Sequence, residues 1–220
     1  STKTMYDMWI GGENGVLQTG TNASGMFAYL TNVEKLDLSK LDTSYITNMS
    51  RMFYMSSGLK SIDLSNFNTS NVTSMNYMFS ECNNLLSLDL SNFDTSKVTA
   101  MVGMFMNCIN LKELDLSNFN TSNVTNMQSM FYQCRRLEDL NLGSFDTSKL
   151  TAINYIFHNC ISLKNLDIRN AELSKVQSKI QPYYGIKNTA TIYVKNSTEK
   201  EYMKSNISNA IEDNIIIING

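Results

Sequence analysis

A 26-residue repeat is the feature that most constrains how this 220-residue chain can fold. Segments such as Leu36-Asp37-Leu38 recur at this spacing, and the spacing reaches both ends, from Ile10 to Ile192 and Ile218. Units of this length bury a common core by stacking on one another. Three columns mark the repeat: Leu36, Ile62, Leu88, Leu114, Leu140 and Leu166; Phe53, Phe79, Phe105, Phe131 and Phe157; and Cys82, Cys108, Cys134 and Cys160.

The unit 59–84 predicts a strand, a turn and a short helix. Leu59, Ile62 and Leu64 end in the alternation of a strand with one buried face, and a turn-rich segment follows at 66–71. Thr73 can then cap a helix whose apolar residues fall at i, i+3, i+4 and i+7, namely Met75, Met78, Phe79 and Cys82. Stacked strands lie about 4.8 Å apart, whereas packed helices prefer about 8–10 Å, so the strand side becomes concave.

Two caps are expected around the repeats, which gives regions 1–32, 33–170 and 171–220. In the last region, Thr198-x-x-Glu201 is a capping box that opens a helix packed through Tyr202, Met203 and Ile207. Ile215 to Ile218 follow as a strand that is apolar on both faces. Because such an edge invites pairing, we expect the natural chain to continue past Gly220 or another group to cover the strand.

Composition and motifs argue against several functions. A net charge of -2 with 17% charged residues gives no basic surface for nucleic acid. No apolar run approaches the roughly 20 residues that span a bilayer, and residues 1–12 lack the pattern of a signal peptide. His158, the only histidine, is expected at the surface, and no pattern pairs a nucleophile with a base. The cysteines lack CxxC spacing and are expected to be buried free thiols. We predict no enzyme, catalytic residue, cofactor or metal ion.

The outward positions of the strands carry the candidate binding residues. An Asp column, interrupted by Asn141, allows two interpretations: each Asp accepts hydrogen bonds from nearby Ser and backbone groups, or the column is an acidic strip that faces a ligand or a cation such as calcium. A second column varies between repeats, and Tyr183, Tyr184 and Tyr193 either pack the cap or anchor a partner. The candidates are Asp37, Asp63, Asp89, Asp115, Asp167, Glu113, Asp139 and Tyr193.

The unit resembles a known family. Leu59-x-x-Ile62-x-Leu64 matches the front of the leucine-rich-repeat consensus, and residues 26–170 are similar to the repeats of BspA-like bacterial surface proteins. The resemblance implies an α/β fold: a right-handed leucine-rich-repeat solenoid with a parallel β-sheet on the concave face and short helices on the convex face. It also implies an extracellular or cell-surface module that adheres to a host or neighbouring-cell protein or glycoprotein.

Two other roles stay open at this stage. The first is a structural spacer that presents another domain, and the second is a glycan-active enzyme, which would need a pocket with paired carboxylates. One departure from leucine-rich repeats bears on the fold. The position that many of them fill with a buried Asn or Cys holds Leu41, Phe67, Phe93, Phe119 and Phe145, so nearby Ser and Thr are expected to satisfy the turn backbone.

Overall fold

The computed structural model describes residues 6–9, 17–18, 20–208 and 210–218. Within this part the chain is a mixed α/β protein whose strands all pair in parallel. Strands β5 to β8 form a four-stranded sheet, while β1 pairs with β3 and β2 with β4. The elements are β1 (Tyr6–Trp9), β2 (Leu17–Gln18), β3 (Val33–Asp37), β4 (Leu41–Asp42), β5 (Asp139–Asn141), β6 (Asn165–Ile168), β7 (Thr191–Val194), α1 (Ser197–Asn206) and β8 (Ile215–Ile217), with short 3-10 helices at Leu173–Lys175 and Glu212–Asn214.

The sequence repeat is also a structural repeat, because each 26-residue coil stacks on the next. Leu140 pairs with Leu166, and Leu166 pairs with Ile192. On another side of the coils, isolated parallel bridges join one residue per coil at the same spacing: Asn22, Asn48, Ser74, Ala100, Asn126, Ala152 and Ser178.

The parallel sheet is less continuous than the sequence predicts. Segments 62–64, 88–90 and 114–116 do not form regular strands, and a single bridge between Glu113 and Asp139 connects this region to β5. Their sequences, Ile-Asp-Leu-Ser at the first and Leu-Asp-Leu-Ser at the other two, contain few residues that favour strands, whereas β7 and β8 are rich in Thr, Ile, Tyr and Val. Regular pairing is therefore confined to the two ends of the described chain.

The predicted short helix in each repeat is wrong. Tyr77 and Glu81 have φ of 57° and 64°, and a right-handed helix needs negative φ throughout. Alternate amides of this segment donate to the next coil instead, as Tyr77 N–H does to the Val102 carbonyl at 2.7 Å. The same φ sign recurs in other coils at Gly25, Tyr29, Arg51, Met55, Gly103, Asn107, Ser129, Gln133, Tyr155, Asn159, Gln181 and Gly185. We call the segment 74–82 and its equivalents every 26 residues the turn face.

The apolar residues of the predicted helix are nevertheless buried. Met75, Met78, Phe79 and Cys82 are at most 1% exposed, so the period of the pattern identified the core although the backbone differs. Ring centroids of successive coils stack 5.5–5.8 Å apart along one column, which contains Phe27, Phe53, Phe79, Phe105, Phe131, Phe157 and Tyr183.

The four cysteines are buried free thiols, as predicted. Each Sγ–H donates to a Phe carbonyl 29 residues earlier at 3.1 Å, as Cys108 does to Phe79. Burial raises the pKa of the Cys82 and Cys160 thiols to about 12.

At both ends of the chain, the observed strand register differs from the predicted one. Ile192 pairs with Ile215 rather than with Ile218, because α1 replaces the turn face and shortens the last unit by three residues. Ile10 lies outside the described residues, and Met8 is the residue that pairs with Leu36.

The C-terminal helix is present, but its cap lies earlier than predicted. The Asn196 side chain accepts the Glu199 amide at 3.0 Å, and Asn196 has the extended backbone of an N-cap, while Thr198 is already helical. Met203 and Ile207 are buried, as the sequence predicts.

Candidate binding surfaces

Four aspartates of the predicted column share one geometry. Each carboxylate is exposed, and its Oδ1 accepts the backbone N–H of the serine two residues later at 2.9–3.0 Å. These bonds favour the charged form, so the amide and hydroxyl of the serine hold the pKa of each carboxyl below its usual range. The hydrogen bonding expected for the column is therefore confirmed at Asp37, Asp63, Asp89 and Asp115.

Asn141 and Asp167 occupy the same column but differ in charge. Asn141 Oδ1 accepts the Gly143 amide at 2.9 Å, which reproduces the turn without a carboxylate. Asp167 is 8% exposed and forms an ion pair with the Arg169 guanidinium, so its charge is compensated within the protein. Tyr193 lies next to Asp167 in the sheet and is half-buried.

Two further candidate carboxylates belong to the same surface. Glu113 and Asp139 are exposed and face each other across the bridge between their coils. Asn165 Nδ2 donates to the Asp139 carboxylate at 2.5 Å. We call the set Asp37, Asp63, Asp89, Asp115, Glu113 and Asp139 the strand-face strip.

No cation of the described chain forms an ion pair with the strand-face strip. The nearby pairs use other carboxylates, such as Glu34 with Lys60 and Glu138 with Lys164. Among the described residues, no cluster of three or more His, Cys, Asp or Glu side chains is arranged to hold a metal ion. The strip is thus a row of negative charges, five of which accept hydrogen bonds from neutral donors.

A column of Thr residues and a column of Asn residues form hydrogen bonds with the backbone of the turns that follow the strand segments. The sequence analysis predicts the Thr column only. Thr69 Oγ1 donates to the Asp94 carbonyl at 2.9 Å and accepts the Asp94 amide at 2.8 Å, so the expected role of Thr is confirmed. The role of Asn was missed. Asn92 Nδ2 donates to the Leu64 and Phe67 carbonyls of the preceding coil at 3.0 and 2.9 Å. The recurring Asn-Phe pair at 66–67, 92–93 and 118–119 is the signal that could have identified it.

An aromatic column on the turn face was also not predicted. The His158 ring lies between Tyr132 and Tyr184, with centroids 5.0 and 4.7 Å away, and the edge of Tyr155 contacts it. His158 is half-buried rather than a surface residue, and burial lowers its pKa. Tyr184 is 57% exposed at the end of this column, whereas Tyr183 is buried in the ring stack. Tyr183 therefore packs the cap, and Tyr184 presents its ring to solvent.

Stacked coils joined by parallel pairing and a shared ring column define a repeat protein of the mixed α/β class. The chain belongs to the family described as "Mycoplasma protein of unknown function, DUF285", which matches residues 21–113 and 83–196. No curated protein and no solved structure matches the chain. In the part that the structure describes, no helix has both the length and the apolar character needed to cross a membrane.

Proposed function

We propose that this chain is a bacterial cell-surface or secreted binding module that mediates adhesion, with the strand-face strip as its contact surface. The observation that carries the proposal is the row of six exposed carboxylates, none of which forms an ion pair with a cation of the described chain. The partner is a host or neighbouring-cell protein or glycoprotein with a basic surface. The full architecture in this proposal is a right-handed leucine-rich-repeat solenoid similar to BspA-like proteins, with the strip on the concave face.

Electrostatics supports a basic partner. Asp63 repels its neighbours Asp37 and Asp89 and raises the pKa of both carboxyls, although the bonds from serine outweigh this effect. Cationic groups of a partner would relieve the repulsion and speed association at low salt. Backbone hydrogen bonds hold four of its carboxylates, those of Asp37, Asp63, Asp89 and Asp115, so these side chains lose little conformational entropy on binding.

A structural spacer is the second candidate function. The ring column runs from Phe27 to Tyr183 without a break, and such a continuous core suits a stiff rod that presents another domain. A spacer does not need a partner that binds its charged face. Binding through the strand-face strip is therefore the property that distinguishes the two proposals. Both roles are non-enzymatic.

The test compares two charge-matched variants by surface plasmon resonance against a panel of extracellular-matrix proteins. The strip variant changes Asp63, Asp89 and Asp115 to Asn, and Asn141 shows that Asn can form the same turn. The control variant changes Asp42, Asp94 and Asp146 to Asn. These aspartates accept a serine amide in the same way but lie outside the strip.

We expect the strip variant to lose about tenfold or more in affinity and part of its salt dependence, and the control to bind like the unchanged protein. Equal losses in both variants would remove the strip from the proposal. Absence of binding by the unchanged protein to every member of the panel would favour the spacer.

A further inference from the structure

A cleft of about 560 Å³ lies at the C-terminal end of the turn face, away from the strand-face strip. None of the described residues that line it carries a charged side chain. Its volume falls within the roughly 300–1,000 Å³ typical of small-molecule sites. Its walls carry neutral polar groups and one aromatic ring, from Asn159, Gln181, Ser205, Asn206, Ser208 and Tyr184.

One wall of the cleft presents backbone donors. Along the turn face, the amides of Tyr155 and Asn159 donate to the Ile180 and Tyr184 carbonyls of the next coil at 2.8 and 2.7 Å. The amides of Gln181 and Gly185 occupy the equivalent positions one coil further on, where the stacking of turn faces ends. Neither amide has an acceptor among the described residues, and both residues line the cleft.

Gly185 packs directly against Asn159 in this wall. Its φ is 84°, and a Cβ atom on it would lie 2.5 Å from Asn159 Oδ1. Any larger residue would therefore collide with another side chain of the cleft.

The opposite wall presents acceptors. Helix α1 ends at Asn206, and the last carbonyls of a helix lack amide partners within it. The Asn206 Nδ2 group donates to the Tyr202 carbonyl at 2.7 Å, which leaves its Oδ1 as an oriented acceptor. A ligand between the two walls would meet N–H donors on one side and oxygen acceptors on the other.

The Tyr184 ring supplies an apolar platform at the same place. It is 57% exposed, and the stack on His158 holds its plane. Aromatic side chains with one exposed face bind apolar surfaces of a ligand at low entropic cost because they have few rotatable bonds.

We propose that the cleft binds a neutral saccharide residue. A sugar ring carries hydroxyls that both donate and accept hydrogen bonds, and one face of C–H groups that packs on an aromatic ring. The described lining residues are all uncharged, which matches a neutral ligand rather than an acidic one. This site extends the proposed binding function to a second surface and does not depend on the strand-face strip.

The test is a glycan array followed by titration calorimetry with the best neutral oligosaccharide. The array carries neutral glycans that end in glucose, galactose, mannose or N-acetylglucosamine, together with sialylated and sulfated glycans. Tyr184→Ala is expected to weaken binding about tenfold or more, and Tyr184→Phe to retain it, because the phenyl ring preserves the platform. Tyr45→Ala is the control, since Tyr45 is similarly exposed at 60% but does not line the cleft.

Failure of every neutral glycan to bind at millimolar concentration, or binding of charged glycans alone, would overturn the proposal. Equal affinity of Tyr184→Ala and Tyr45→Ala would also overturn it. The strip variant distinguishes the two surfaces. If it binds the glycan with unchanged affinity, the result supports the cleft as the glycan site. If it loses as much affinity as Tyr184→Ala, the glycan does not bind in the cleft alone and the proposal is overturned.

Discussion

The Asn92→Asp substitution provides a sharp test of how the coils are held together. Asn92 Nδ2 donates to the Leu64 and Phe67 carbonyls of the preceding coil at 3.0 and 2.9 Å, and makes a longer contact of 3.4 Å with the Ser65 carbonyl. A carboxylate of the same shape has no proton for any of these carbonyls and repels them. The matched control is Asn68→Asp, because the Asn68 side chain acts only as an acceptor for Ser70, and the equivalent residue in the next coil, Asp94, is already an aspartate.

The expected loss of stability follows from the two shorter of these hydrogen bonds, those to Leu64 and Phe67. Each is worth about 0.5–1.5 kcal/mol, and a carbonyl left without a partner away from water costs about 1–3 kcal/mol. Both carbonyls are partly buried, so water replaces part of the loss. We expect Asn92→Asp to reduce the free energy of unfolding by about 2–4 kcal/mol, and Asn68→Asp to change it by less than about 0.5 kcal/mol.

Urea unfolding followed by circular dichroism at pH 7 measures the difference between the two variants. Repeating the measurement at pH 3 adds a second check. Protonation gives the new carboxyl group of Asn92→Asp one donor, so the difference in free energy of unfolding between the two variants should become smaller. Both variants add one carboxyl group, so the titration of the other aspartates cancels in the comparison. Equal unfolding midpoints for the two variants at pH 7 would refute the assigned role of the Asn column.

Two other predictions concern the core. Phe105→Ala should reduce the free energy of unfolding, measured in urea, by about 3–5 kcal/mol, because the ring is fully buried and stacks on both neighbouring rings at 5.8 Å. The control Tyr45→Ala should reduce it by less than about 0.5 kcal/mol. Similar losses in the two variants would contradict the stabilising role of the ring column. The buried thiols of Cys82 and Cys160 should resist a soluble disulfide reagent at pH 8. Burial raises their pKa from 9.0 to about 12, so their contribution to stability should be full below pH 9 and lost as the pH rises towards 12. Rapid labelling of the native protein at pH 8 would contradict the predicted resistance of the thiols.

The sequence predicts the core of this protein better than its backbone. The i, i+3, i+4 and i+7 spacing within the repeat correctly identified the buried residues Met75, Met78 and Phe79, because burial depends on which side chains recur on one side of a coil. The same spacing fits a helix and a ladder of turns, and only φ separates them. Tyr77 and Glu81 adopt positive φ although neither residue favours it, so residue propensity does not predict the turns.

Stacking explains how this backbone persists. An isolated residue such as Tyr77 would avoid the left-handed region, but here its amide donates to the next coil at 2.7 Å, and the pattern repeats along the stack. The energy that compensates the strain comes from neighbouring coils, which a local pattern cannot reveal. The cleft beside Tyr184 was missed for the same reason, since it arises where the stacking of turn faces ends and α1 begins.

The charge of the strand-face strip is separable from its role in the fold. The turn after each strand segment requires an acceptor two residues before the serine amide, and Asn141 meets that requirement as well as Asp63 does. A neutral amide would therefore satisfy the backbone and avoid the repulsion that Asp63 exerts on Asp37 and Asp89. The adjacent exposed column changes from coil to coil at little cost in stability, because it has no packing role: Lys35, Ser61, Ser87, Glu113, Asp139 and Asn165. Because the fold does not need the carboxylates, their charge is consistent with the recognition role that we propose for the strip.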